Sequence, residues 1–154
     1  MKRPILAFAA GLVLWLVVVS VLNRGLRIFV MGYAAAEGTF SYTLGMLALR
    51  LVIAALSSLV AGAVAAWIAP SSPRVPVLVG ATLLAAFIPV HVRLFSLFPL
   101  WYHLVFLATL IPLVMLGARL ARVRAVRGAP VGGTRGRRKQ HGCGSTALPA
   151  SPTG

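Results

Sequence analysis

The stretch PILAFAAGLVLWLVVVSVLN, Pro4 to Asn23, runs for twenty residues without a charge. A helix rises about 1.5 Å per residue, so a run of this length reaches across the roughly 30 Å of hydrocarbon in a bilayer. Three more apolar runs follow. One extends from about Tyr42 to Ala69 and is broken only by Arg50; VPVLVGATLLAAFIPVHV covers 75–92 and LWYHLVFLATLIPLVMLGA covers 100–118. The third run is the shortest, and it spans more easily if Phe95 to Leu97 stay in the interface. Backbone amides in lipid have no water to bond, so each run is expected to be helical despite its valines and isoleucines. The reading is an all-α membrane protein with four transmembrane helices, about 4–23, 42–69, 75–92 and 100–118, in one domain over 1–127.

Charge supports lipid as the solvent. Only 10% of the 154 residues are charged, against about 25% in soluble domains, and the mean hydropathy is +0.96. Fifteen Lys and Arg face one acid, Glu37, and eight of the fifteen fall between Arg119 and Lys139. Basic residues gather on the cytoplasmic side of membrane proteins. With the amino terminus inside, Lys2, Arg3, Arg74 and those eight lie on one side, against Arg24, Arg27 and Arg93 on the other. Both termini are therefore expected in the cytoplasm, and the basic excess is read as a membrane anchor, with no nucleic acid as partner. The first run resembles a signal peptide in its Lys2-Arg3 start. Its length exceeds the usual 7–15 residues, so it is expected to remain as a span.

Prolines and glycines set the punctuation. Pro4 suits a first helical turn, APSSPRVP at 69–76 reads as a tight turn, and Pro99 opens the fourth run. Pro89 and Pro112 fall inside helices, where they should kink them. Residues 24–41, RGLRIFVMGYAAAEGTFS, are too apolar for a hydrated loop and suit an interfacial helix. The last helix is expected to continue as ARLARVRAVR, 118–127, with its arginines among headgroups. Beyond it, 128–154 is rich in Gly, Pro, Ser and Thr and reads as a disordered basic tail.

The second run carries the clearest internal pattern. Arg50, Ala54, Ser58, Gly62 and Ala66 recur every four residues and so share one helix face. Ala54, Ser58, Gly62 and Ala66 are read as a packing face, because small side chains let helices approach closely in lipid. Arg50 on that face should look toward other helices, and Glu37 is its expected ion-pair partner. A guanidinium stays protonated, so a functional Arg50 would contact anionic groups.

His91 and His103 bracket the turn between the third and fourth runs. They are read as polar residues at a membrane boundary beside Trp101 and Tyr102. Two alternatives stay open: shared ligation of haem or metal, and a proton-linked role. Structural zinc takes four ligands and catalytic zinc three; haem needs only two histidines, so it survives better. A lone Cys143 offers neither a disulfide nor a metal site.

Catalysis finds few parts. One acid cannot make a carboxylate pair, no aspartate exists for a Ser/His/Asp set, and no GxSxG, HExxH or P-loop pattern occurs. No enzyme activity and no cofactor are expected. FPLWYHLVFLATLIPLVMLGARL, 98–120, resembles the last helix of small bacterial four-helix integral membrane proteins of unassigned role. That resemblance implies a membrane location and no reaction. In size and span number the chain is also similar to small multidrug-resistance transporters, but its first span lacks the glutamate central to them, so their activity is not implied.

The leading expectation is a small integral protein of the bacterial inner membrane, non-enzymatic, associating with lipid, other membrane proteins or itself. The alternatives are a small transporter or channel subunit using Arg50 and the small-residue face, and a haem- or metal-binding subunit using His91 and His103.

Overall fold

A computed structural model describes residues 2–128. They form five α-helices, with no strand among them: α1 (Lys2–Phe29), α2 (Tyr33–Thr39), α3 (Leu44–Ile68), α4 (Arg74–Arg93) and α5 (Leu100–Gly128). Four of these, all but α2, are long and apolar enough to cross a membrane. The all-α, four-span reading therefore holds. The expected disordered tail lies, but for Gly128 at the end of α5, outside the described residues.

The helix ends follow local chemistry. Thr43 caps α3, its hydroxyl accepting from the Met46 amide at 3.3 Å, which satisfies one of the free N–H groups of a helix start. The interfacial connection divides in two. α1 continues past the expected end at Asn23 to Phe29, and only the seven residues of α2 form a separate helix. Gly32 makes the break between them with φ +77°, a left-handed conformation that glycine adopts without a Cβ clash. Phe40 closes α2 at φ 56°, a strained position for a bulky residue. Its ring lies 6.4 Å from that of Phe98, and the amides of Phe40 and Ser41 both turn back onto the Ala36 carbonyl.

α3 is the central helix. It packs most extensively on α5 and α1 and also touches α4, while α4 packs on α5 and α1. Ala54, Ser58, Gly62 and Ala66 are all buried there. The α3–α5 approach is reciprocal: a Cβ on Gly62 would collide with the Val114 carbonyl, and one on Gly117 with that of Leu59. Each helix thus supplies a glycine where the other's backbone comes closest, which is how packing replaces the hydrophobic drive in lipid. Gly117 opens a shorter series of its own on α5, with Ala121 and Ala125 following at four-residue spacing, a signal from which it could have been found.

Further along the same face of α3, the α1 residue Trp15 is 1% exposed and donates its indole N–H to Ser58 Oγ at 3.1 Å. Ser58 in turn donates to the Ala54 carbonyl at 2.8 Å. Ser58 is therefore more than a small filler, since it satisfies a polar atom that lipid would leave unpaired. The bundle's outward surface is apolar along every long helix, from Ile5 and Val13 through Val52 and Leu78 to Leu104 and Leu116.

Candidate functional site

Antiparallel packing brings the last turn of α4, the first turns of α3 and α5, and α2 to one end of the bundle. Polar side chains collect at this end. Arg50 is half-buried in the second turn of α3. Its Nη1 donates to the Tyr42 hydroxyl at 2.9 Å and to the Tyr33 hydroxyl at 3.2 Å. Tyr33, fully buried, donates its own proton to Asn23 Oδ1 at 2.9 Å. That bond turns a Tyr33 lone pair toward the guanidinium.

The expected Arg50–Glu37 pair is not what forms. Glu37 accepts from Arg27 Nε at 2.6 Å, the only ion pair among the described residues. The reason is the short α1–α2 break, which folds Glu37 back beside the end of α1. This hydrogen bond holds the Glu37 carboxyl below the usual carboxylate range. Arg50 is left with phenols and the Tyr42 ring, whose centroid lies 4.9 Å from the guanidinium carbon.

The two histidines do come together, with ring centroids 5.1 Å apart and planes at 82°. They are not boundary residues open to the interface: His91 is 7% and His103 3% exposed. Both sit among aromatic rings. His91 lies 4.5 Å from Phe106 and stacks on Tyr102 at 6.2 Å, while His103 stacks on Phe95 at 5.5 Å. Tyr102, also expected at the boundary, is buried, whereas Trp101 is exposed. Adjacent helical residues point about 100° apart, so one can face inward while its neighbour faces out.

His91 Nδ1 lies 3.0 Å from the Phe87 carbonyl; an oxygen acceptor there requires the proton on Nδ1. Neither ring nitrogen of His103 has a partner among the described residues. The histidines, Arg50, Phe98, Tyr102 and Phe106 border a cavity of about 70 Å³. Arg50, Phe87, Tyr102 and Phe106 also border a second cavity, about 240 Å³, that reaches Trp15 and Asn23 on α1. Arg50 stands between the two.

This geometry bears on the metal and haem alternatives. Among the described residues no three His, Cys, Asp or Glu are grouped to hold a metal ion. The one histidine pair shares its cavity with a guanidinium, which repels a divalent cation. A cavity of about 70 Å³ is also well below the roughly 300 Å³ at which pockets begin to enclose drug-sized ligands, and haem is larger than most of those.

Fold and site together define a small multi-pass membrane protein with a buried cationic and aromatic cluster at one end. No protein-family model, curated protein or solved structure matches the chain.

Proposed function

We propose that the protein is a non-enzymatic integral protein of the bacterial inner membrane, with both ends in the cytoplasm, which works by associating with anionic lipid and membrane partners. One observation carries this reading: a cleft of about 640 Å³ between α3 and α5, away from the histidine cluster. Leu59, Val60, Trp67, Gly117 and Leu120 line it, and Arg124 stands among them. An apolar slot beside an exposed arginine matches an acyl chain joined to an anionic headgroup. Trp67, 79% exposed, suits the headgroup level, and each arginine near an anionic surface contributes about 1 kcal/mol.

Charge supports the orientation. Lys2, Arg3, Arg74, Arg119, Arg122, Arg124 and Arg127 belong to the end of the bundle where the chain begins, and Arg24, Arg27, Arg50 and Arg93 to the α2 end. Glu37 neutralises one of those four. The Ala-, Arg- and Gly-rich composition fits a bacterial source. The absence of a catalytic role is supported by the engagement of the only carboxylate with Arg27, which leaves no acid to work with the histidines.

Purification in mild detergent, followed by native mass spectrometry, absorbance and metal analysis, tests the reading. Anionic phospholipid should be retained by the wild type and depleted in Arg124→Gln, with no haem absorbance. Lipid retention indifferent to Arg124, or stoichiometric haem, would overturn it.

A transporter or channel subunit is the second reading, favoured by the place of Arg50 between two cavities. Its version with the small-residue face of α3 as a pore wall meets an obstacle, since α5 and α1 fill that face. Anion flux in liposomes that vanishes in Arg50→Ala would support it.

A further inference from the structure

We infer that the cavity between Arg50, His91 and His103 is a binding site for a small monovalent inorganic anion of chloride or nitrate size. Three observations converge on it. First, Arg50 carries a charge that no carboxylate answers among the described residues, because Glu37 is held by Arg27. Its bonds to Tyr33 and Tyr42 both leave from Nη1, the Tyr102 hydroxyl is a third partner, and all three are neutral phenols, while a guanidinium has five N–H donors to place. Second, His103 is 3% exposed and neither ring nitrogen has a partner among the described residues, although buried polar atoms almost always have partners. Its ring borders the same cavity as Arg50.

Third, the volume selects the guest. About 70 Å³ is several times the roughly 10–15 Å³ that one water needs. It holds a small ion with a water or two and excludes a phosphodiester with its glycerol. The remaining wall is apolar and mostly aromatic, made by Phe87, Val90, Leu94, Phe98, Tyr102 and Phe106, and carries no carboxylate to repel an anion. Interior surroundings make the attraction between guanidinium and anion about four times that in bulk water. A cation is repelled by the same group. In this site Arg50 supplies the charge, His103 an N–H donor, and the Phe87 carbonyl fixes the ring of His91. The site lies at the α2 end, away from the α3–α5 cleft, and does not depend on lipid binding there.

The test is thermal unfolding of the full chain in lipid-free detergent. Sodium gluconate is replaced by chloride or nitrate at constant ionic strength. The unfolding temperature of the wild type should rise by several degrees and level off. His103→Phe keeps a ring in the aromatic cluster and should fold, with a flat response. Arg50→Met should also be flat; if it does not fold, His103→Phe decides alone. A wild type that unfolds at the same temperature in gluconate, chloride and nitrate overturns the proposal. So does a saturating rise that survives undiminished in His103→Phe, which would put the anion on surface arginines. The absence of lipid ensures that a rise comes from the free anion and not from a headgroup.

Discussion

Glu37 and Arg50 show what a residue list leaves open. With one acid in the chain, the arginine chosen by Glu37 decides the electrostatics of the whole α2 end. The choice falls on Arg27, ten residues away across a short break, and both side chains are partly exposed, at 45% and 26%. Water and salt screen an exposed pair of this kind, so its contribution is small. Because the folded carboxyl titrates below its ordinary value, the pair stabilises above the usual carboxylate pKa, about 4.3, and the benefit disappears as pH falls through the depressed folded value. Glu37→Gln should therefore lower stability only slightly at neutral pH and flatten the acid limb, as read by the denaturant midpoint between neutral and strongly acidic pH. A loss several times larger would mean that Glu37 also serves Arg50. The phenol partners of Arg50 were illegible beforehand. Tyrosines at 33 and 42 suggest interfacial anchors, and nothing local says that their hydroxyls meet one guanidinium.

At the scale of elements, periodicity is plain on one side of a contact and fainter on the other. The repeat from Ala54 to Ala66 marks a narrow face on α3, since residues four apart stack along a helix. Its counterpart on α5, Gly117, leads only a short series, Gly117, Ala121 and Ala125, interleaved with leucines, valines and arginines that obscure it. Packing makes it as restrictive as Gly62, because the Leu59 carbonyl occupies the place of a side chain. Gly117→Val should destabilise the bundle by about 1–3 kcal/mol, measured by unfolding in mixed micelles. The same change at Gly25, which has open space around it, should cost much less. Equal costs would show that α3 and α5 separate without penalty. Helix ends were legible to within a few residues where Pro99 or the 69–76 turn intervened. The α1 end was less so, because Arg24 and Arg27 read as a loop boundary while the helix ran on to Phe29.

For the whole molecule, orientation is the first question. Met31, between α1 and α2, is 96% exposed, so no part of the bundle shields a cysteine placed there. In a Cys143→Ser background, Met31→Cys should react with an impermeant maleimide on intact spheroplasts, whereas Cys143 of the natural chain should react only after permeabilisation. The opposite pattern would invert the proposed topology. The number and kind of spans were readable from the sequence alone, because the cost of placing a residue in hydrocarbon belongs mainly to that residue and sums along a single run. A small-residue face was readable for a similar reason, as helical spacing is local. Which arginine holds Glu37, how the histidines turn inward among Phe95, Tyr102 and Phe106, and where Gly117 meets Leu59 depended on helices far apart in sequence settling against one another. Those contacts reflect distance and direction in three dimensions, and only the tertiary structure decided them.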